Sequence, residues 1–203
     1  MLRLHDYLDS GNGYKVRLLL HQLGLPFELV EHDILTGATR TAEFLAKNPN
    51  GRIPVLELDN GVFLPESNAI LFHLAEGTAF LPRDRLERAQ VLQWMFFEQY
   101  SHEPNIATSR FWLRHLEITP ERRLALEQKK VAGDAALAVM ERHLAARQFF
   151  VGERYTIADI ALYAYTHVAA EGGFDLEPYP AVRAWLTRVR AQPAHVEITY
   201  ADR

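Results

Sequence analysis

The chain contains no cysteine in its 203 residues. That excludes a disulfide framework, a thiolate metal site and a cysteine nucleophile, so thiol chemistry here must arrive with a bound ligand. No metal is expected either: nine histidines are scattered along the chain, and none stands in H-E-x-x-H or a comparable pair. No apolar run approaches the ~18 residues that a membrane-spanning helix needs, so no membrane partner is expected. Long cationic blocks are also missing, and the formal net charge is −4. Nucleic acid is therefore not expected as a partner. The first residues alternate apolar and charged side chains rather than forming a secretory leader, which makes a cytoplasmic location the expectation.

What is present is ordinary globular composition, 48% hydrophobic and 24% charged. The length suits one large domain or two small ones. The first part alternates strand and helix signals. Residues 2–8 and 27–32 read as strands, and between them Val16, Leu19, Leu20 and Leu23 mark one apolar helix face, stopped by Gly24 and Pro26. A short helix follows over 41–47. Residues 53–58 and 62–64, joined by Asp59-Asn60-Gly61, carry a hairpin signal, because Asn and Gly tolerate positive φ. A helix over 66–76 completes a βαβαββα order. Beyond Leu81-Pro82 only helical patterns remain, over 83–116, 120–147, 156–170 and 180–191. This segregation predicts a small α/β domain, residues 1–78, a linker, 79–83, and an all-helical domain, 84–203.

Three stretches carry candidate chemistry. The first is Asp9-Ser10-Gly11-Asn12-Gly13-Tyr14-Lys15-Val16, at a strand-to-helix join. Gly11-x-Gly13, with Glu31 and Asp33 about 20 residues on, suggests a dinucleotide fingerprint. Against it, Val16 stands where the third small residue belongs, and the α/β part is too short for a doubly wound sheet. The alternative is a turn whose Ser10 or Asn12 caps the helix. The second stretch is Asn48-Pro49-Asn50-Gly51-Arg52-Ile53-Pro54-Val55. Pro54 at a strand start removes a ladder donor; it is either an edge-strand proline or a device that leaves Val55 to offer its backbone to an extended ligand. The third is Leu64-Pro65-Glu66-Ser67-Asn68-Ala69-Ile70-Leu71. Ser67 opens a helix, where unpaired N–H groups bind carboxylates, and Glu66 beside it suits an ammonium. That spot fits the paired charges of an α-amino acid; a plain helix cap is the alternative.

Together these stretches resemble the glutathione transferase superfamily over essentially the whole chain. N-P-N-G-R-I-P-V-L and P-E-S-N-A-I-L are close to family motifs, and Val151-Gly152-Glu153-Arg154-Tyr155-Thr156-Ile157-Ala158-Asp159 resembles a signature of its helical domain. The resemblance is to bacterial cytosolic types with a Ser/Asn N-terminal motif. It implies a thioredoxin-like N-terminal domain followed by an all-helical one. It also implies glutathione as co-substrate, a small electrophile or a disulfide as second substrate, and a homodimer. Ser10 then aligns with the hydroxyl facing the glutathione sulfur, and Asn12 with an amide beside it. Gly11 stands where such enzymes often have proline. Ile53, Pro54 (a cis-proline in the family) and Val55 would meet the cysteinyl unit, and Glu66 and Ser67 the γ-glutamyl end. Arg40 and Arg52 lie where the family places basic groups near the glycine carboxylate, and Glu103 would touch the partner subunit's ligand.

The implied chemistry is consistent with those residue types. A thiol with pKa near ~8.5 is only slightly ionised at neutral pH, and hydrogen bonds to the thiolate lower that value. Ser10, Asn12 and the start of the helix beyond Gly11 would supply them. Tyr7 competes with Ser10 as hydroxyl donor or lines the electrophile pocket together with Tyr100, Phe111 and Trp112. Thr156 to Asp159 reads as a structural capping box. Three activities remain open: thioether formation on a small electrophile, glutathione-dependent reduction of disulfides or peroxides, and a non-catalytic binding or regulatory protein on the same fold.

Overall fold

In the computed structural model, which describes residues 1–200, the chain forms two compact units. One is Met1–Glu76 joined by the described part of Pro193–Arg203; the other is Gly77–Gln192.

In the first unit, β1 (Leu2–Asp6) runs parallel to β2 (Phe27–Glu31) and antiparallel to β3 (Val55–Glu57). β4 (Phe63–Pro65) pairs antiparallel with β3, giving the order β2-β1-β3-β4. With α1 (Gly11–Leu23), α2 (Ala42–Lys47) and α3 (Ser67–Ala75), this is the expected βαβαββα arrangement. The hairpin turns at Gly61, whose φ of 78° is one that glycine adopts without a Cβ penalty. Alternation along the strands directs Leu4 and Leu56, paired in register, into a core with Val16, Leu20 and Ile70. His5 faces the other side of the sheet. There it meets His32 at 3.0 Å and the edge of the Phe44 ring on α2.

β1 stops at Asp6 rather than at Leu8 because the chain turns there. The Asp6 carboxylate accepts from Tyr7 N (2.7 Å), and the Tyr7 carbonyl accepts from Ser10 N (2.8 Å). α1 rests directly on this turn: a Cβ on Gly13 would collide with the Asp6 carboxylate. Here glycine is required for close approach.

The return of the chain from Pro193 corrects the expected boundary, which ran the helical domain through residue 203. Two buried polar side chains of α1 explain the return. Tyr14 Oη donates to the Val196 carbonyl (2.7 Å), and Arg17 Nη1 donates to the carbonyls of Ile198 (2.7 Å) and Tyr200 (3.1 Å).

The second unit consists of α4 (Arg85–Phe97), α5 (Glu103–His115), α6 (Pro120–Leu144), α7 (Ile157–Thr166) and α8 (Pro180–Arg190). All ten residues of α7 are buried, so this helix forms the centre of the unit. Its described residues add only the isolated β-bridge Val151–Arg154 to this helical set. The continuous pattern over 83–116 is interrupted by a π-helical turn, Glu98–His102, where Glu103 N–H reaches back to the Glu98 carbonyl. Pro104 accounts for it: proline has no N–H to donate, and its ring crowds the carbonyl four residues back. The expected 156–170 helix ends at Thr166, and a 3₁₀ turn, Ala169–Gly172, follows. Among the described residues no helix is long and apolar enough to cross a membrane.

Candidate functional site

The first unit brings together the starts of two helices. Ser10 has extended backbone (φ −79°, ψ 124°) and caps α1, its Oγ accepting from Gly13 N at 3.4 Å. A serine hydroxyl that accepts in this way keeps its own proton for donation. The capping role and the ligand-facing role weighed for Ser10 are therefore compatible. Asn12 lies in the first turn of the same helix.

α3 starts differently. Its cap residue, Glu66, makes no side-chain hydrogen bond to the helix and holds φ 71°, ψ 109°, a conformation disfavoured for a residue with a Cβ. Such strain persists only where the surroundings enforce it, and it concentrates at binding sites. The Glu66 side chain is exposed, whereas Ser67 is buried. Ser67 Oγ donates to Asn12 Oδ1 at 3.3 Å, which ties the two helix starts together.

Lys15 occupies the centre of this junction and was not anticipated from the sequence. It is 0% exposed, and its Nζ donates to Asn12 Oδ1 (2.8 Å) and to Ser67 Oγ (3.4 Å). Two signals in the sequence bear on it. Lys15 stands three residues after Asn12, a helical-neighbour spacing. It is also a cation near a helix N-terminus, where the helix dipole disfavours positive charge.

The remaining predicted residues are distributed as follows. The Ile53–Pro54 bond is cis. Val55 sits inside the sheet, in register with His5 on one side and Pro65 on the other, while Ile53 lies just before the ladder. Arg40 Nη1 donates to the Asn50 carbonyl (3.0 Å), and Arg52 accepts from Asn48 Nδ2 through its carbonyl (2.8 Å) while its side chain stays exposed. Tyr7 belongs to the turn after β1. In the helical unit, Tyr100 is 88% exposed on the π-helical turn and Glu103 opens α5. Phe111 tilts against His115, and Trp112 lies under the Lys129 ammonium at 5.4 Å.

A buried ion pair supports the turn that carries Ser10. Arg17 Nε meets Asp6 Oδ2 at 2.9 Å, and Arg17 Nη2 donates to the Leu8 carbonyl at 2.7 Å. Burial pushes the Asp6 carboxyl up to about 6, and the Arg17 charge opposes that shift. No group of three or more His, Cys, Asp or Glu is placed to hold a metal ion among the described residues.

Comparison with known proteins gives a consistent result. Residues 4–79 match the glutathione S-transferase N-terminal domain, and residues 96–193 match its C-terminal domain. The chain is 33% identical to the disulfide-bond oxidoreductase YfcG of Escherichia coli (strain K12) over 195 residues, covering 93% of this chain and 90% of that protein. A crystal structure of a glutathione S-transferase from Pseudomonas fluorescens superposes with a TM-score of 0.95 at 54% identity, covering 97% of this chain and 98% of that one. The yeast protein Ure2p in complex with glutathione superposes with a TM-score of 0.85 at 25% identity, covering 95% and 90% of the two chains.

Proposed function

Since the chain belongs to the glutathione S-transferase family, we propose that it binds glutathione on its first unit and holds the sulfur as a thiolate for attack on a small electrophile. The observation that carries this reading is the junction of Ser10, Asn12 and Ser67 at two adjoining helix starts. The absence of cysteine makes an external thiol necessary. The γ-glutamyl carboxylate is assigned to Ser67 and the α3 N-terminus, and its ammonium to Glu66. The cysteinyl backbone is assigned to the Ile53–Pro54–Val55 segment, with Ile53 as the principal partner because Val55 has strand neighbours on both sides. Arg52, and Arg40 beyond its contact with Asn50, are assigned to the glycine carboxylate.

Ser10 Oγ–H and the Asn12 amide then donate to the sulfur and lower its pKa. In the reaction the sulfur lone pair forms the new C–S bond. The leaving group departs with its electron pair, and the thiol proton passes to solvent. Tyr7, Tyr100, Phe111 and Trp112 are candidates for electrophile contact. Glu103 is a candidate contact to the partner subunit's glutathione in a homodimer, and a cytoplasmic location is part of the same reading.

A second reading, reduction of disulfides with glutathione, is favoured by the similarity to a protein named as a disulfide-bond oxidoreductase and by Asn12 at the α1 start. Two glutathiones would be consumed per disulfide, giving glutathione disulfide and two thiols. A third reading, binding without catalysis, draws on the similarity to the transcriptional regulator URE2 of Saccharomyces cerevisiae, of which the chain matches 66%. Calorimetry with glutathione, followed by turnover of an activated aryl halide, a peroxide and a small dialkyl disulfide, separates the three. Binding with thioether formation supports the leading reading, and binding with disulfide turnover alone supports the second. Binding without turnover of any of them leaves the third.

A further inference from the structure

The amide of Asn12 has two ends that differ only in an oxygen and an NH₂, and only one of them suits a sulfur anion. An NH₂ stabilises a thiolate, whereas a carbonyl oxygen repels it. Ser67 does not select between them, because a hydroxyl donates to an oxygen as readily as it accepts from an NH₂. Lys15 does select. An ammonium has three donors and no acceptor, so the amide atom 2.8 Å from Lys15 Nζ has to be the oxygen. With the oxygen held there, Ser67 Oγ accepts from Lys15 (3.4 Å) and donates to the same Oδ1 (3.3 Å). The NH₂, on the opposite branch of the amide, is turned away from the ammonium.

Packing does not explain a lysine here. Burying an ammonium is costly, and a methionine would fill the same length without that cost. Its place near the positive end of α1 adds to the cost.

We propose that Lys15 is a positioning residue whose ammonium locks the Asn12 amide so that its NH₂, and not its oxygen, is presented to the glutathione sulfur. This rests on the reading that Asn12 donates to that sulfur.

A double-mutant cycle tests it: wild type, Lys15→Met, Asn12→Ala and the double variant, each checked for folding by circular dichroism and thermal melting. In each, the ionisation of bound glutathione is followed by ultraviolet difference spectroscopy as the pH is raised, together with kcat and KM. In the Asn12 background, Lys15→Met should raise the bound thiol's pKa by about one unit, roughly a tenfold loss of thiolate at neutral pH. In the Asn12→Ala background the same substitution should leave the thiol pKa unchanged, the non-additivity expected of residues that act as a unit. If Lys15→Met does not fold, Lys15→Gln serves the same cycle. It keeps a polar contact but loses the donor-only character, so a smaller rise confined to the Asn12 background is expected.

Equal shifts in both backgrounds would mean that Lys15 acts through its own charge and would overturn the proposal alone. No shift in either background would make Lys15 a packing residue, with the same consequence. An unaltered thiol pKa in Asn12→Ala itself would overturn both the proposal and the assignment of Asn12 to the sulfur.

Discussion

The starts of α7 and α3 are built from similar residues and put to opposite uses. At α7, Thr156 Oγ1 accepts from Ala158 N (3.3 Å), and Asp159 Oδ2 accepts from Thr156 N (2.9 Å), which completes a capping box. The other oxygen of Asp159 accepts from Phe150 N (3.1 Å) and Trp185 Nε1 (3.0 Å). The donors at that helix end are met by the chain's own buried acceptors. At α3 the cap residue supplies no acceptor, its backbone is strained at φ 71°, and its carboxylate lies in solvent. A helix start whose donors are met internally holds a core together. One whose cap residue offers nothing keeps its positive end for a ligand anion.

Substitutions break this contrast in order of size. Asp159→Ala should have the largest effect, because it strands buried donors on three residues; a loss of roughly 3–5 kcal/mol in folding stability is expected. Calorimetric unfolding would measure it, and glutathione affinity of the folded protein should be little changed. The same group gives a pH signature. Burial pushes the Asp159 carboxyl from 3.8 up to about 6. The folded chain therefore takes up this proton at a higher pH than the unfolded chain does. The stability it contributes is fully present below 3.8 and is lost as the pH rises through about 6. Asp159→Asn, which does not titrate, should show a larger stability deficit relative to wild type near pH ~4 than near pH ~7. A deficit independent of pH would contradict the raised value.

Ser67→Ala should reverse the pattern. Glutathione binding should weaken by about 1–3 kcal/mol, the usual cost of a lost hydrogen bond to a charged group, while folding stability falls by about 1 kcal/mol or less. Isothermal titration and denaturant unfolding on the same samples would separate the two. Ser10→Ala should lower turnover more than affinity, with a cap loss of about 1 kcal/mol in stability; an unchanged kcat would remove Ser10 from the sulfur. The smallest effect is expected for Glu66→Gly. Relief of the positive φ should raise stability by about 1 kcal/mol, read from the urea midpoint, while glutathione affinity falls. A variant that loses both would mean that Glu66 is a structural residue.

Much of this contrast is legible in the sequence, because its parts are local. Asn60-Gly61 announces the hairpin, alternation places Leu4 and Leu56 inward, and the T-I-A-D run spells out its capping box. Ser10, Asn12 and Ser67 stand at strand-to-helix joins, where polar residues gather for either capping or binding. What stays hidden is a product of long-range packing. Lys15 and Arg17 read as solvated charges in a helix, and only the folded chain reveals that one faces Ser67 and the other Asp6 and the chain's last residues. Without Arg17's partners, the segment after Pro193 has no periodicity that would assign it to the first unit. The π-helical turn before Pro104 is invisible for a related reason: a proline announces an interruption but not how the backbone absorbs it.

The central claim is that the uncapped start of α3 and the Ser10–Asn12 turn together hold an activated glutathione. The most direct measurement is the ultraviolet difference titration of glutathione bound to the wild-type protein. Thiolate absorbance appearing at least about one unit below the free thiol's pKa of ~8.5 is the predicted result. A bound thiol that ionises at or above that value would contradict it.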